Sequence, residues 1–74
     1  MSQETMTPLE MALVDALRSK RVVETFEAKA KAASSPQWQR YYAGKADVER
    51  SVLDYNLEQA FGYAALFLDA EAAQ

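Results

Sequence analysis

Two pairs of carboxylates stand at helical spacing in this 74-residue chain, Glu24 with Glu27 and Asp54 with Glu58, and four tyrosines accompany them. Three or four residues apart on a helix, paired carboxylates share a face and could act as acid and base or hold a cation. Either use needs more than the pair. Zinc and di-iron sites call for histidine or thiolate beside the carboxylates, and the chain contains no His and no Cys. It also lacks a glycine-rich phosphate loop, an HExxH, a GxSxG and an EF-hand ladder of aspartates. No partner group accompanies the tyrosines that would turn one into a catalytic acid. The carboxylate pairs therefore read as solvated helix surface. The chain is expected to be no enzyme, with no catalytic residue, no metal and no cofactor.

Binding chemistry is better represented. Trp38, Arg40, Tyr41 and Tyr42 fall within two helical turns, and these three residue types dominate the energetics of protein interfaces. Two uses are open: the rings can cover the alanines at 28, 30, 32 and 33 across a hairpin, as core, or stand exposed as an anchor for a partner. Charge is uneven around them. Residues 18–45 carry seven cations against Glu24 and Glu27, a local surplus of five, although the whole chain is −3. Both ends are acidic. Arg18 and Arg21 are expected to steer the basic region toward an acidic surface, with Trp38, Arg40, Tyr41 and Tyr42 making the contact.

These residues need helices to position them. Alanine is abundant, Ile is absent, and there are only two Gly and two Pro; that balance favours an all-α fold. Thr7-Pro8-Leu9-Glu10 is a capping box with proline at the first helical position, and helix is predicted from Pro8 to about Ala33. Its apolar face divides. Leu9, Leu13, Ala16 and Leu17 form one stripe and Val22, Val23, Phe26, Ala30 and Ala33 another, so the helix is expected to curve or to bend near Ser19-Lys20-Arg21. Met11 and Val14 lie off the first stripe and suggest contact with another chain. Ser34-Ser35-Pro36 ends this helix and caps the next, which must return antiparallel.

Residues 46–68 carry two apolar stripes at coiled-coil spacing: Val48, Val52, Tyr55, Gln59, Gly62 and Leu66, and Leu53, Leu57, Ala60, Ala64 and Phe67 with Phe61 and Leu68 beside them. A helix apolar on two flanks needs a partner on each. Were the second helix unbroken from Pro36, Val52 would lie near Leu17 and Ala60 near Leu9, and Phe61, Tyr63, Leu66, Phe67 and Leu68 would overhang the N-terminus. A break at Gly44, with Asp47 as the new cap, lets the last helix slide until Leu66 meets Leu13. The expected fold is thus an antiparallel hairpin of long, short and long helices, assembled as a dimeric helix bundle through Leu53, Leu57, Phe61, Ala64 and Leu68. Residues 1–74 form one domain, frayed at 1–6 and 70–74.

The remaining function classes are weakly represented. No apolar run is long enough to cross a bilayer, the first ten residues do not form a signal peptide, and a cytoplasmic location is the default. No helix has the lysine-rich polar face of a membrane-surface binder. An isoelectric point near 4.8 argues against nucleic acid as a partner, although a dimer could offer two basic hairpin tips to DNA. The reading that results is a non-enzymatic protein–protein interaction module. It is a small homodimeric regulator or inhibitor of phage or plasmid type that binds a larger host protein through helix-in-groove or bundle-completing contacts. The alternatives are a DNA-binding regulator and a structural subunit of a larger assembly.

Overall fold

A computed structural model describes residues 5–73. They form two helices and no strand, α1 over Pro8–Ala32 and α2 over Pro36–Ala72, packed against each other as a hairpin. The start of α1 is the predicted capping box. The Glu10 amide donates to Thr7 Oγ1 at 3.1 Å, and the Thr7 amide donates to Glu10 Oε1 at 2.7 Å. At the turn, Ala33 and Ser35 are extended, with ψ of 138° and 148°, and the Trp38 amide donates to Ser35 Oγ at 3.2 Å. The side-chain amide of Gln39 reaches back to the Ala33 carbonyl at 3.1 Å and closes the connection.

The second helix is not broken. It runs through Gly44, so the arrangement is long–long and not long–short–long. Glycine lowers helix stability by about 1 kcal/mol relative to alanine, too little to interrupt a helix anchored on both sides of it. Tyr42 is half-buried and Ala46 buried, and both lie against α1. Asp47 lies inside the helix and caps nothing; it pairs with Arg50. A methyl group added at Gly44 would meet nothing within 4 Å. Gly44→Ala is therefore expected to stabilise the fold by about 0.5–1 kcal/mol, raising the thermal midpoint by about 2–8 °C. A lowered midpoint in a thermal melt would show that the glycine is needed. The helix also persists to Ala72, so residues 70–72, expected to fray, are helical. The expectation for residues 1–4 and 74 lies outside the described residues.

The seam between the helices is one continuous stripe on each. On α1 it comprises Leu9, Ala12, Ala16, Ser19, Val23, Phe26 and Ala30, stepping alternately by three and four; on α2, Tyr42, Ala46, Glu49, Leu53, Asn56 and Ala60 do the same. Every one of these is buried or half-buried. α1 is accordingly continuous through Ser19-Lys20-Arg21, and Ser19 is a seam residue: Asn56 Nδ2 donates to Ser19 Oγ at 2.8 Å. That bond fixes the level of the two helices. Asn56 sits beside Asp15 and Ser19, about a turn away from the pairing expected for an unbroken helix. Tyr63, Leu66 and Phe67 consequently lie along Thr7, Pro8 and Leu9. Leu66 does not reach Leu13.

The core so formed is lean. Its buried residues are Ala12, Ala16, Ser19, Val23, Ala46 and Ala60, and no large side chain is fully buried. The radius of gyration is 16.8 Å and the molecule measures 58 × 31 × 13 Å. A compact chain of this length would have a radius of about 11 Å.

Candidate interaction surfaces

Two residues that pair across the hairpin define its sides. Arg50 of α2 bonds Glu27 of α1 as well as Asp47 on its own helix. Hydrogen bonding to Glu27, then to Asp47, raises the pKa of the Arg50 guanidinium further above its usual value, with desolvation opposing. The cation is therefore permanent, and an exposed bridge of this kind contributes little to stability. Its value here is as a marker. Counting back from Glu27 by alternate threes and fours gives Glu24, Lys20, Leu17 and Leu13 on α1; counting forward from Arg50 gives Asp54, Leu57, Phe61, Ala64 and Leu68 on α2. Both stripes therefore lie on one side of the hairpin, called here the Arg50 side.

This side changes character along its length. Toward the turn it is charged, through Lys20, Glu24, Glu27, Lys31, Asp47, Arg50 and Asp54. Toward the open end it is apolar, through Leu13, Leu17, Leu57, Phe61 and Leu68. Phe61 and Leu68 are each 66% exposed, Leu13 51% and Leu17 47%. Four of the five residues expected to mediate self-association, Leu57, Phe61, Ala64 and Leu68, fall on this one stripe. Leu53 belongs to the seam instead, and Leu57 and Ala64 are half-buried. Leu13 and Leu17 complete the patch from the other helix. Their sequence signal was present but pointed to the seam, because they lie next to Leu9 and Ala16 on the helix.

The opposite side is narrower. A shallow groove lined by Met11, Asp15, Tyr55, Gln59 and Tyr63 shows which α1 residues border the stripe of Val48, Val52, Tyr55, Gln59, Gly62 and Leu66. That stripe is exposed throughout, but α1 offers it Asp15, Arg18, Thr25 and Lys29 alongside Met11 and Val22. The α1 contribution there is interrupted by Asp15 and Arg18 between Met11 and Val22, whereas on the Arg50 side Leu13 and Leu17 follow each other directly. Val14 is exposed as well, away from the seam.

At the turn, the aromatic residues divide between the two uses open to them. Tyr42 is half-buried and stacks on Phe26, ring centroids 6.3 Å apart, with Lys29 Nζ over the Tyr42 ring 5.7 Å from its centroid. Trp38 packs edge-on against Tyr41 at 5.4 Å and tilted against Tyr42 at 5.8 Å, yet Trp38 and Tyr41 stay about half exposed. Lys45 lies 5.7 Å from the Tyr41 ring. One ring thus anchors the cluster to α1 and two remain presented. Arg40 is exposed on the next positions and joins no ion pair among the described residues. Arg18 and Arg21 are not part of this cluster. They lie roughly 17–21 Å along α1 from its last residue, Ala32, and Arg18 is 3.6 Å from Asp15.

The carboxylates do not assemble into a site. Glu24 bonds Lys20, Glu27 bonds Arg50, and no group of three acidic, His or Cys side chains able to hold a metal occurs among the described residues. No helix among them is long and apolar enough to cross a membrane.

The exposed surface can be compared with what a monomer of this mass carries. The chain exposes 5737 Å², whereas a folded monomer of 8.3 kDa exposes about 4,600 Å². The surplus, about 1,100 Å², exceeds the roughly 800 Å² per partner that a stable interface of standard size covers. Neither a protein-family model, nor a curated protein, nor a solved structure matches this chain.

Proposed function

We propose that the protein is a non-enzymatic interaction module that works as a homodimer and binds a larger protein. The observation that carries this reading is the open half of the Arg50 side, where Leu13, Leu17, Phe61 and Leu68 are 47–66% exposed while the hairpin's own core contains nothing larger than Val23 among its buried residues. A surface of that kind is ordinarily covered by another chain. The partner-binding part is assigned to the turn, where Trp38, Tyr41 and Arg40 are presented on a base fixed by Tyr42 and Phe26. Arg18 and Arg21, off the turn, contribute long-range attraction to an acidic surface. Acting in the cytoplasm as a small regulator or inhibitor of phage or plasmid type, it would occupy a surface on a host protein and so block or redirect it.

Light scattering over a range of concentrations tests the first half, with a mass of two chains expected. For the second half, Trp38→Ala with Arg40→Ala should keep the helical signal to within a few per cent in the manner of surface substitutions and reduce capture of the partner at least tenfold. Collapse of the fold in that variant would mean that the aromatic residues serve the hairpin alone.

A further inference from the structure

The homodimeric reading leaves open how the two copies meet, and the distribution of residues along the Arg50 side answers it. We propose that two copies pack antiparallel through the open halves of their Arg50 sides, Leu13, Leu17, Phe61 and Leu68 of one against the same residues of the other, with the basic turns pointing away at opposite ends. The inference rests on the homodimer proposed above.

Three observations lead there. On this side the exposed apolar residues come in successive turns of both helices, Leu13 and Leu17 on α1 and Phe61 and Leu68 on α2, which is the geometry that a four-helix bundle buries; the Tyr55 stripe is backed on α1 by Met11 followed by Asp15 and Arg18. The patch stops at the level of Lys20 and Asp54, and from there toward the turn the large side chains are charged, with only alanines such as Ala43 between them. A two-fold arrangement with the hairpins parallel would press those charged halves together. It would take Lys20, Glu24, Glu27, Lys31, Asp47 and Arg50 out of water between α1 of one copy and α2 of the other, and desolvation of exposed charges is unfavourable. It would also place two turns, each in a segment with a surplus of five positive charges, side by side. An antiparallel arrangement centred on the patch overlaps only the apolar halves, keeps the charged halves in water and separates the basic turns. The surplus of exposed surface is large enough to supply such an interface.

The two arrangements differ in length. With the symmetry axis near the level of Leu13 and Gly62, the span 36–62 on either side makes the antiparallel dimer about 80 Å from turn to turn. A parallel dimer stays near the 58 Å of a single hairpin. The experiment is small-angle scattering of the full chain at a concentration where light scattering gives its mass, with three variants alongside. A dimeric mass with a maximum dimension of 80 Å or more is expected. Leu13→Glu should halve the mass at the same concentration, whereas Val52→Glu and Tyr55→Glu, on the opposite side, should leave it unchanged. A dimer close to 60 Å long overturns the arrangement and leaves the homodimer standing. So does a dimer that is broken by Val52→Glu or Tyr55→Glu and not by Leu13→Glu. A single-chain mass at every concentration overturns both. Should Leu13→Glu lose its helical signal, the length of the unaltered chain and the two opposite-side variants still decide.

Discussion

A chain carrying Glu at both 61 and 68 should sediment as a helical monomer at concentrations where the unaltered protein is a dimer. Phe61 and Leu68 are each 66% exposed within one hairpin, so little of their surface helps the hairpin itself. Covering the remainder in a dimer is worth about 1–2 kcal/mol per side chain, and the two-fold repeats both residues, for about 4–8 kcal/mol. Dissociation should therefore become easier by a factor of about 10³ to 10⁶, before the repulsion of four facing carboxylates is counted. Glu at 68, about one turn from the end of α2, also opposes the helix dipole, at about 0.3–1 kcal/mol, which shortens the last turns without unfolding the chain. Leu57→Glu is the contrasting case. Leu57 is half-buried and borders the seam, so its replacement should cost hairpin stability as well as association. Sedimentation velocity combined with circular dichroism separates the two effects. If the Phe61→Glu, Leu68→Glu double variant remains a dimer at micromolar concentration, these side chains are not the contact.

The helix ends were legible because capping is local. Thr7-Pro8-Leu9-Glu10 and Ser35-Pro36 contain the donors, acceptors and fixed dihedral angles that start a helix, and the hydrogen bonds at both sites are those expected. What could not be read locally was which residues face the partner helix. Large apolar residues suggest the core, so Leu13 and Leu17 drew the expected stripe off the seam and divided the apolar face of α1 in two. Apart from Val23, the fully buried positions of the seam are Ala12, Ala16, Ser19, Ala46 and Ala60, which have little apolar signal of their own. Gly44 misled for a related reason: its local preference is weak, and the burial of its neighbours on both sides prevails. The stripe of Leu57, Phe61, Ala64 and Leu68 was legible because its residues are large and evenly spaced. Its companion on α1 became visible only once Arg50 and Glu27 fixed which faces adjoin.

Replacing Ala46 and Ala60 by Leu together should bring the hairpin close to unfolding. Each alanine is 2% exposed and faces α1 across a seam that also contains Ala12 and Ala16. Small residues on facing stripes let two helices approach closely, and the added isobutyl groups would have to displace the opposing helix. At about 1–3 kcal/mol per site, the pair costs about 2–6 kcal/mol, against the roughly 3–5 kcal/mol that a single core of this size supplies. Ala65, exposed on the same helix, is the control: Ala65→Leu should shift the midpoint by no more than about 0.5 kcal/mol. Folding and association are linked, so the urea midpoints must be compared at one protein concentration. An unchanged midpoint in the double variant would mean that the seam has room for larger residues, and the leucines on the flank would then have had a place inside the hairpin. If the midpoint collapses, small residues are required between α1 and α2, and the large ones are left at the side, where only a second chain can cover them.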